Sequence, residues 1–332
     1  MSADPYASPT NSLRLFSICG DDAAKMLHNV TTNDVRSLTV GWACETFVTN
    51  VKGKSVGHGW VIRIDPDRSP GFADDGFWFL GYGDQFAAVT QHIDHYAIVE
   101  DVRFEDLAQQ YRVQYLNARQ MPNLDEHAFQ PGDPGKNIVS PARVSFHDTE
   151  ILLHNDLGGA GSGLKISAIN AHSAEASASS PAPDTDERRL SETEEMTRDR
   201  IENRFPVFGV DITDANLPQE ADRDDRCISF TKGCYLGQET IARLDAMGQV
   251  QRKLLAWQAR DKSDTDTILS LPIELFVEDP SKNESKEDTS KPVAKITSLD
   301  SNAARALGLS RRKVFEAGKI CFDKLGGSWI RV

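Results

Sequence analysis

The amino-acid sequence predicts an α+β protein of more than one domain that ends in a small antiparallel β-barrel. Its 332 residues are enough for two or three domains. Over about the first 120 residues, strand-like and helical hydrophobic patterns alternate along the chain. From about residue 251 onward, short strand-like runs are separated by polar loops, which is typical of a small barrel.

The N-terminal part shows both kinds of periodicity. Residues 20–30, GDDAAKMLHNV, predict a helix that Asp21 or Asp22 can cap, and TTNDV then ends it with residues that favour turns. Alternating apolar residues predict a strand over 56–64, and residues 76–82 predict another. Three further elements are predicted here: a helix in DQFAAVTQHIDHYAI and strands in AIVEDVRF and YRVQYL.

The central and C-terminal parts are less regular. Residues 144–157 predict a pair of strands, whereas residues 171–189, rich in Ser, Ala, Pro and charge, predict a disordered insert. Ser191 and Glu194 have the spacing of a capping box and predict the start of a helix. The barrel strands are predicted in KLLAWQA, PIELFVED, KPVAKITS and GKICFD.

Composition excludes several classes of protein. The net charge of -13, from 37 Lys and Arg against 50 Asp and Glu, disfavours nucleic-acid binding. No apolar run is long enough for a transmembrane helix, and the N-terminus does not resemble a signal peptide. The five cysteines are odd in number and form no C-x-x-C motif. This pattern predicts free thiols in a reducing compartment, the cytoplasm, without a structural metal site.

The segment SFTKGCYLGQETIARL, residues 229–244, places Cys234 after a Lys232-Gly233 turn and before a predicted helix. The positive end of the helix dipole and the Lys232 ammonium would both favour the thiolate. Cys234 is therefore a candidate nucleophile, redox centre or metal ligand. The alternative is a small buried residue beside a packed helix, which is the commoner role of a free cysteine.

The same segment carries a family resemblance. KGCYLGQETIAR resembles the signature K-G-C-[FY]-x-G-Q-E-x-x-x-R of the YgfZ-type proteins, folate-binding members of the aminomethyltransferase (glycine cleavage T-protein) superfamily. VTTNDV, TNVKGKSVG and RIENRFPVFGVDI resemble further family segments, in the same order. VAKITSLDSNAARALGLSRRK resembles the family's C-terminal barrel, with Ala294 in place of a glycine. The resemblance is weakest over 120–190.

The resemblance implies three domains in a ring around a central channel that holds folate: two mixed α/β lobes, at 1–120 and 121–250, and a barrel at 251–332. It implies that Cys234 and Lys232 are the catalytic residues, with Cys234 at the mouth of the channel. It also implies a set of residues that bind a tetrahydrofolate cofactor: Asn33, Asp34, Glu202, Gln238, Glu239 and Arg243.

Chemistry is consistent with two of these assignments, although each residue has an alternative. A carboxylate such as Glu202 accepts hydrogen bonds from the donor edge of a pterin, and an arginine such as Arg243 binds a glutamyl carboxylate. Glu202 could instead be solvated, or paired with Arg200 or Arg204. Arg243 could pair with Glu239 one helical turn away, and Asp34 could merely cap a turn.

The resemblance implies a function in the assembly or repair of iron–sulfur clusters, with cluster enzymes or assembly factors as partners and no nucleic acid or membrane. T-proteins carry a Gly-Gly-x-x-Asp-Asp stretch, but KGKSVGHGW has no acidic pair after Gly53, which argues against glycine cleavage. The alternatives are a folate-dependent aminomethyl or one-carbon transferase and a non-catalytic scaffold for client proteins. Whether the protein is an enzyme stays open. His58 is predicted as a core residue, and His92 and His95 as surface residues.

Overall fold

The structure is a computed structural model. It describes residues 13–65, 67, 76–121, 133–147, 150–154, 162–169, 194–248, 250–260, 271–277, 291–300 and 304–332. The predicted insert at 171–189 and the predicted capping residue Ser191 lie outside the described residues.

The largest element is an antiparallel sheet with the strand order β5-β1-β4-β3-β2-β7-β8-β9-β6. Its strands are β1 Leu13–Cys19, β2 Trp42–Thr49, β3 Ser55–Ile64, β4 Gly76–Tyr82, β5 Arg103–Asp106, β6 Tyr111–Leu116, β7 Ala142–Phe146, β8 Glu150–His154 and β9 Gly163–Ala168. The sheet contains strands from both sides of residue 120, and the division of the chain into three domains stays a prediction.

Five α-helices lie among the described residues: α1 Ala23–Val30, α2 Phe86–Tyr96, α3 Glu194–Glu202, α4 Asp224–Cys227 and α5 Gln238–Met247. The apolar sides of α1 and α2 pack on one face of the sheet, where Val61 of β3 is buried. Trp60, the residue before it, faces a second core that includes Phe205, just after α3. Because neighbouring residues of a strand point to opposite faces, the centre of the sheet is covered on both sides.

The structure confirms most of the predicted elements in the first half of the chain. Strands β4 and β6 match their predicted ranges, and β7 and β8 form the predicted pair. Helix α1 begins at Ala23 with Asp22 at the N-cap, but the Asp22 side chain does not cap the helix. Its Oδ2 instead accepts a hydrogen bond of 3.1 Å from the backbone N–H of Asp101. The predicted strand AIVEDVRF is reduced to β5.

The C-terminal segment forms the expected antiparallel sheet, with the order β11-β12-β13-β10-β15-β14. The bounds are β10 Arg252–Ala259, β11 Ile273–Leu275, β12 Ala294–Asp300, β13 Arg305–Arg311, β14 Ile320–Phe322 and β15 Ser328–Arg331. A bridge between Phe276 and Phe322 joins the two edges, so the sheet is nearly closed into a barrel. Trp257 and Trp329 are fully buried in its core.

Candidate functional site

The Cys234 segment is held against the turn that follows α1. On one side of Cys234, the Ser229 N–H donates to the Thr32 carbonyl at 2.9 Å. On the other side, the Leu236 N–H donates to the Asn29 carbonyl at 2.8 Å. The loop between these two bonds, residues 230–235, is therefore fixed at both ends.

The side chain of Lys232 binds the middle of this loop to the end of α1. Its Nζ donates hydrogen bonds to the carbonyl oxygens of His28, Thr31 and Asn33, at 2.8, 2.6 and 2.9 Å. Burial lowers the pKa of Lys232 to about 7, against the opposing charge of Asp34. Three carbonyls at the end of a helix provide the partners that a buried ammonium needs. The sequence-based prediction that Lys232 acts on the Cys234 thiol did not anticipate this set of partners.

Cys234 is exposed, and the other four cysteines are buried. The alternative that Cys234 is a small buried residue is therefore wrong. Helix α5 begins at Gln238, with Gly237 at the N-cap, so Cys234 lies three residues before the cap. Burial raises the pKa of Cys44 to about 12 and that of Cys321 to about 11, so these thiols stay protonated.

Two glycines of the family-like segments meet beneath this loop. Gly237 has a φ of +78°, and a Cβ built on it would lie 2.4 Å from both the nitrogen and the Cα of Gly53. Gly53 is the glycine of the NVKGK hairpin between β2 and β3. Only a residue without a Cβ permits this approach, and the contact explains why both segments carry glycine.

Asn33 and Asp34 lie inside the protein. Asn33 is fully buried, and its Nδ2 donates to the carbonyls of Glu45 and Val139 at 3.0 and 3.1 Å. The Oδ1 of Asp34 lies 3.1 Å from the Nδ1 of His28. Both side chains therefore shape the turn whose carbonyls bind the Lys232 ammonium, and a folate-binding role for them stays a prediction.

Glu202 ends α3 and lines a cavity of about 490 Å³ between this helix and the barrel. It forms an ion pair with Arg305 of β13. The two alternative partners are engaged elsewhere: Arg200 binds Asp211 at 3.0 Å, and Arg204 binds Asp222 at 2.5 Å. The cavity is lined by Ile201, Glu202, Arg204, Ala256, Trp257, Gln258, Arg305, Arg331 and Val332.

Gln238, Glu239 and Arg243 all lie on α5 and are not among the residues that line this cavity. Glu239 and Arg243 are exposed, and Gln238 is half-buried. Within the described part of the chain, no ion pair joins Arg243 to Glu239, so the alternative that these two residues pair is wrong. The structure thus brings Lys232, Asn33 and Asp34 together, whereas the three predicted residues of α5 do not line the cavity with Glu202.

A buried charged cluster that the sequence did not predict lies between these two regions. The carboxylate of Glu45 on β2 accepts hydrogen bonds from Nε and Nη2 of Arg223, both at 2.6 Å. His58 is a core residue, as predicted, and its Nε2 lies 2.8 Å from Oε1 of Glu45. Cys227 donates its thiol to the same oxygen at 3.1 Å. Glu45 and Arg223 are 178 residues apart, and no local pattern could have revealed their pairing.

The cluster has the residue types of a metal site, since the ligand atoms of Glu45, His58 and Cys227 lie within 4.8 Å of one another. Arg223, however, already binds both oxygens of Glu45. Burial, followed by the charge of Glu45, raises the pKa of the Cys227 thiol well above its usual value. A metal would require a thiolate in a place where the thiol is strongly favoured. We therefore interpret the cluster as a structural ion pair.

His92 and His95 of α2 were both predicted to lie on the surface. The predicted surface position of His92 is wrong, because this residue is half-buried with its Nε2 3.0 Å from the Thr49 carbonyl oxygen. His95 is exposed, as predicted.

Among the described helices, none has both the length and the apolar character needed to cross a bilayer.

Comparison with known proteins gives one sequence relative and a structural match over nearly the whole chain. A 55-residue segment is 42% identical to the tRNA-modifying protein YgfZ of Colwellia psychrerythraea, and it makes up 16% of this chain and 17% of that protein. The crystal structure of the glycine cleavage system aminomethyltransferase T from Bartonella henselae matches with a TM-score of 0.61 at 14% identity, covering 97% of this chain and 83% of that one. No family model matches the chain.

The resemblance to a YgfZ-type protein is confirmed over the 55-residue segment. The structural match shows the aminomethyltransferase fold, including the nearly closed C-terminal barrel. The stretch KGKSVGHGW, which has no acidic pair after Gly53, places Val56, Gly57 and His58 on β3. His58 is buried, and its Nε2 lies beside the Glu45 carboxylate in the charged cluster.

Proposed function

We propose that this protein binds tetrahydrofolate or a derivative in the cavity beside Glu202. We further propose that it supports the assembly or repair of iron–sulfur clusters in client enzymes through the exposed thiol of Cys234. The aminomethyltransferase fold and the YgfZ-like segment support the proposal. The observation that carries it is the position of Glu202, the glutamate of the family-like R-x-E stretch, on the wall of the cavity.

The charges around the cavity suit both ends of a folate. Glu202 offers a carboxylate to the donor edge of the pterin, and three arginines offer guanidinium groups to the glutamyl carboxylates. Glu202 is paired with Arg305 in this structure. When pterin donors take the place of Arg305 on Glu202, the Arg305 guanidinium is released from its ion pair.

Replacement of Glu202 by alanine is expected to weaken tetrahydrofolate binding by about 1–3 kcal/mol, the contribution of a hydrogen bond to a charged group. Calorimetric titration of the purified protein measures this loss. Glu195→Ala serves as the control, because Glu195 is also exposed on α3 but does not line the cavity. Equal affinities for the Glu202 and Glu195 variants would remove Glu202 from the site.

The proposed role of Cys234 follows from its accessibility, because the other four thiols are buried. One cysteine cannot hold a four-thiolate cluster by itself. A cluster transferred through this thiol would therefore need further thiolates from a client enzyme or an assembly factor. The free thiols support a reducing compartment, and we propose the cytoplasm.

Cys234→Ser is expected to fold and to bind folate normally but to fail to restore cluster-enzyme activity in cells that lack this protein. Serine preserves the size of the side chain and loses the thiolate. Restoration is measured as the activity of iron–sulfur enzymes in extracts, with the melting temperature and folate affinity of the variant as controls. Full restoration by the serine variant would show that the thiol is not required.

Aminomethyl or one-carbon transfer is the second candidate function, favoured by the match to an aminomethyltransferase. The missing acidic pair and the engaged His58 leave no carboxylate or free base on β3 to handle a substrate amine. Turnover with tetrahydrofolate and candidate amine donors separates this function from a binding role. Client capture with and without folate tests the further alternative of a non-catalytic scaffold.

The name of the Colwellia relative refers to tRNA modification. For this chain, the net charge of -13 disfavours direct contact with RNA. We therefore propose that any effect on tRNA acts through a client enzyme. Modified nucleosides and cluster-enzyme activities would then fall together in cells without the protein.

A further inference from the structure

The turn that follows α3 contains an arginine in a conformation that glycine normally takes. Helix α3 ends at Glu202. The Arg204 N–H then donates to the Ile201 carbonyl at 3.1 Å, and the Phe205 N–H donates to the Arg200 carbonyl at 2.9 Å. These two hydrogen bonds form a Schellman motif, and Arg204 takes its left-handed position with a φ of +53°. Because a residue with a Cβ is disfavoured there relative to glycine, the turn itself does not explain why residue 204 is an arginine.

The side chain that binds Arg204 belongs to a residue in the same disfavoured conformation. Asp222 has a φ of +57°, and its Oδ2 accepts a hydrogen bond of 2.5 Å from Nη1 of Arg204. Among the described residues, four that are not glycine have a positive φ, and two of these four bind each other. Backbone strain of this kind is found mainly at active sites and ligand-binding sites. The pair is therefore a candidate for a role in binding.

Arg204 is accessible from the cavity beside Glu202. Its side chain is 41% exposed and lines the cavity. The hydrogen bond to Asp222 uses Nη1, and a guanidinium has several N–H donors. Arg204 can therefore stay bound to Asp222 and still donate hydrogen bonds to an anion in the cavity.

The charges at this wall of the cavity are not balanced. The other oxygen of Asp222, Oδ1, accepts a hydrogen bond of 2.6 Å from Nζ of Lys253. Arg331 also lines the cavity; burial lowers its pKa and the charge of Arg204 lowers it further, while Asp222 opposes them. Three cations thus interact with one carboxylate. An anionic group in the cavity would reduce the repulsion between Arg204 and Arg331.

We propose that Arg204 determines the specificity of the cavity for a ligand with an acidic tail. Its guanidinium, held by Asp222, donates hydrogen bonds to a carboxylate of the glutamyl group, and this role rests on the proposed binding of tetrahydrofolate. Lys253 binds the other oxygen of Asp222 and so helps to hold the carboxylate in place. A planar guanidinium matches the geometry of a carboxylate better than an ammonium does.

The alternative is that the ion pair of Arg204 and Asp222 only stabilises the fold, by joining the turn after α3 to the residues before α4. The two roles predict opposite effects of glycine at position 204. Glycine adopts a positive φ without strain, and Asp222 would keep Lys253 as a partner. If Arg204 serves the ligand, Arg204→Gly should therefore be at least as stable as the wild type. If the pair serves the fold, the variant should be less stable.

The test compares two ligands in calorimetric titrations of the full-length protein. Tetrahydrofolate carries the glutamyl tail, whereas tetrahydropteroate has the same pterin and aminobenzoate groups without it. In Arg204→Gly, the affinity for tetrahydrofolate is expected to fall about tenfold or more, the effect of a lost hydrogen bond between charged groups. The affinity for tetrahydropteroate should change much less. The midpoint of urea unfolding should equal or exceed that of the wild type.

Two further variants complete the design. Arg204→Gln removes the charge but keeps a long side chain, and it should lose affinity for tetrahydrofolate as Arg204→Gly does. It decides the question if the glycine variant does not fold. Arg311→Gln is the matched control, because Arg311 is an exposed arginine of the barrel that does not line the cavity. It should bind both ligands like the wild type.

The outcomes separate this role of Arg204 from the proposed function. A wild-type protein that binds neither ligand would overturn both. Wild-type affinity for tetrahydrofolate in the folded Arg204 variants would overturn the role of Arg204 alone, and so would an equal loss for the two ligands. A glycine variant that binds both ligands normally but unfolds at a lower urea concentration would show that the pair is structural.

Discussion

Arg223→Met is expected to destabilise the protein by about 3–5 kcal/mol, the cost of leaving a buried charge without its partner. Arg223 and Glu45 are both almost completely buried and share two hydrogen bonds of 2.6 Å. The Nη1 of Arg223 also donates to the Asn203 carbonyl at 2.6 Å, next to Glu202. Loss of the guanidinium would therefore leave the buried Glu45 carboxylate without its charged partner. It would also remove a hydrogen bond from the turn that follows α3.

Urea unfolding of Arg223→Met and the wild type measures this difference. Arg305→Met is the matched control, because more than a third of each side chain in its ion pair with Glu202 is exposed and the pair should contribute less than about 1 kcal/mol. The double variant Glu45→Gln/Arg223→Met should recover part of the loss, since no charge is left unpaired. Similar losses for the two single arginine variants would contradict the buried-pair explanation.

The same ion pair predicts a dependence of stability on pH. Burial opposes ionisation of Glu45, but the charge and hydrogen bonds of Arg223 outweigh it and hold the pKa of Glu45 below its usual value. A group with a lowered pKa contributes its full stability above the unfolded value of about 4.3 and loses it as the pH falls towards the folded value. Below about pH 4.3, the stability of the wild type should therefore fall more steeply than that of the double variant.

Gly237→Ala is expected to cost about 2–5 kcal/mol, the sum of a left-handed conformation and overpacking. The new Cβ would lie 2.4 Å from the backbone of Gly53 and 2.5 Å from the Asn50 carbonyl oxygen. Backbone atoms cannot rotate away as a flexible side chain can. The NVKGK hairpin would have to move, and with it the base of the Cys234 loop.

Gly248→Ala isolates the conformational part of this cost. Gly248 ends the same helix with a φ of +58°, and a Cβ built on it would have no atom within 4 Å. It should lose only about 1–2 kcal/mol. Guanidinium unfolding of both variants gives the difference between them. Equal losses would mean that the contact between Gly237 and Gly53 adds no strain.

The elements that the sequence predicts well are those whose signal is local. Strands β4 and β6 were predicted from short runs in which apolar residues are continuous or alternate. Helix α1 was predicted from apolar residues at helical spacing between turn residues. The strand predicted in AIVEDVRF was too long, because hydrophobicity at Ile98 and Val99 does not correspond to burial: both side chains are almost fully exposed. Apolar character alone does not show which neighbours are available to cover a residue.

The candidate site was predictable only in its motif residues. The sequence drew attention to Cys234 and Glu202, but the partner of Glu202, Arg305, lies 103 residues away. The position of Lys232 two residues before Cys234 favoured an electrostatic effect on the thiol, whereas its ammonium is bound by carbonyls at the end of α1.

The hydrogen bonds of Lys232 also determine when the Cys234 loop can form during synthesis of the chain. The His28 carbonyl precedes Lys232 by 204 residues. A ribosome that adds about 5–20 residues per second therefore synthesises His28 roughly 10–40 seconds before Lys232. Until then, the carbonyls at the end of α1 must be hydrated, since their later partner has not been translated. The loop that presents Cys234 can therefore take its final shape only on a nascent chain whose N-terminal sheet has already emerged. The sulfur of Cys234 is positioned late, when most of the protein around it has already been synthesised.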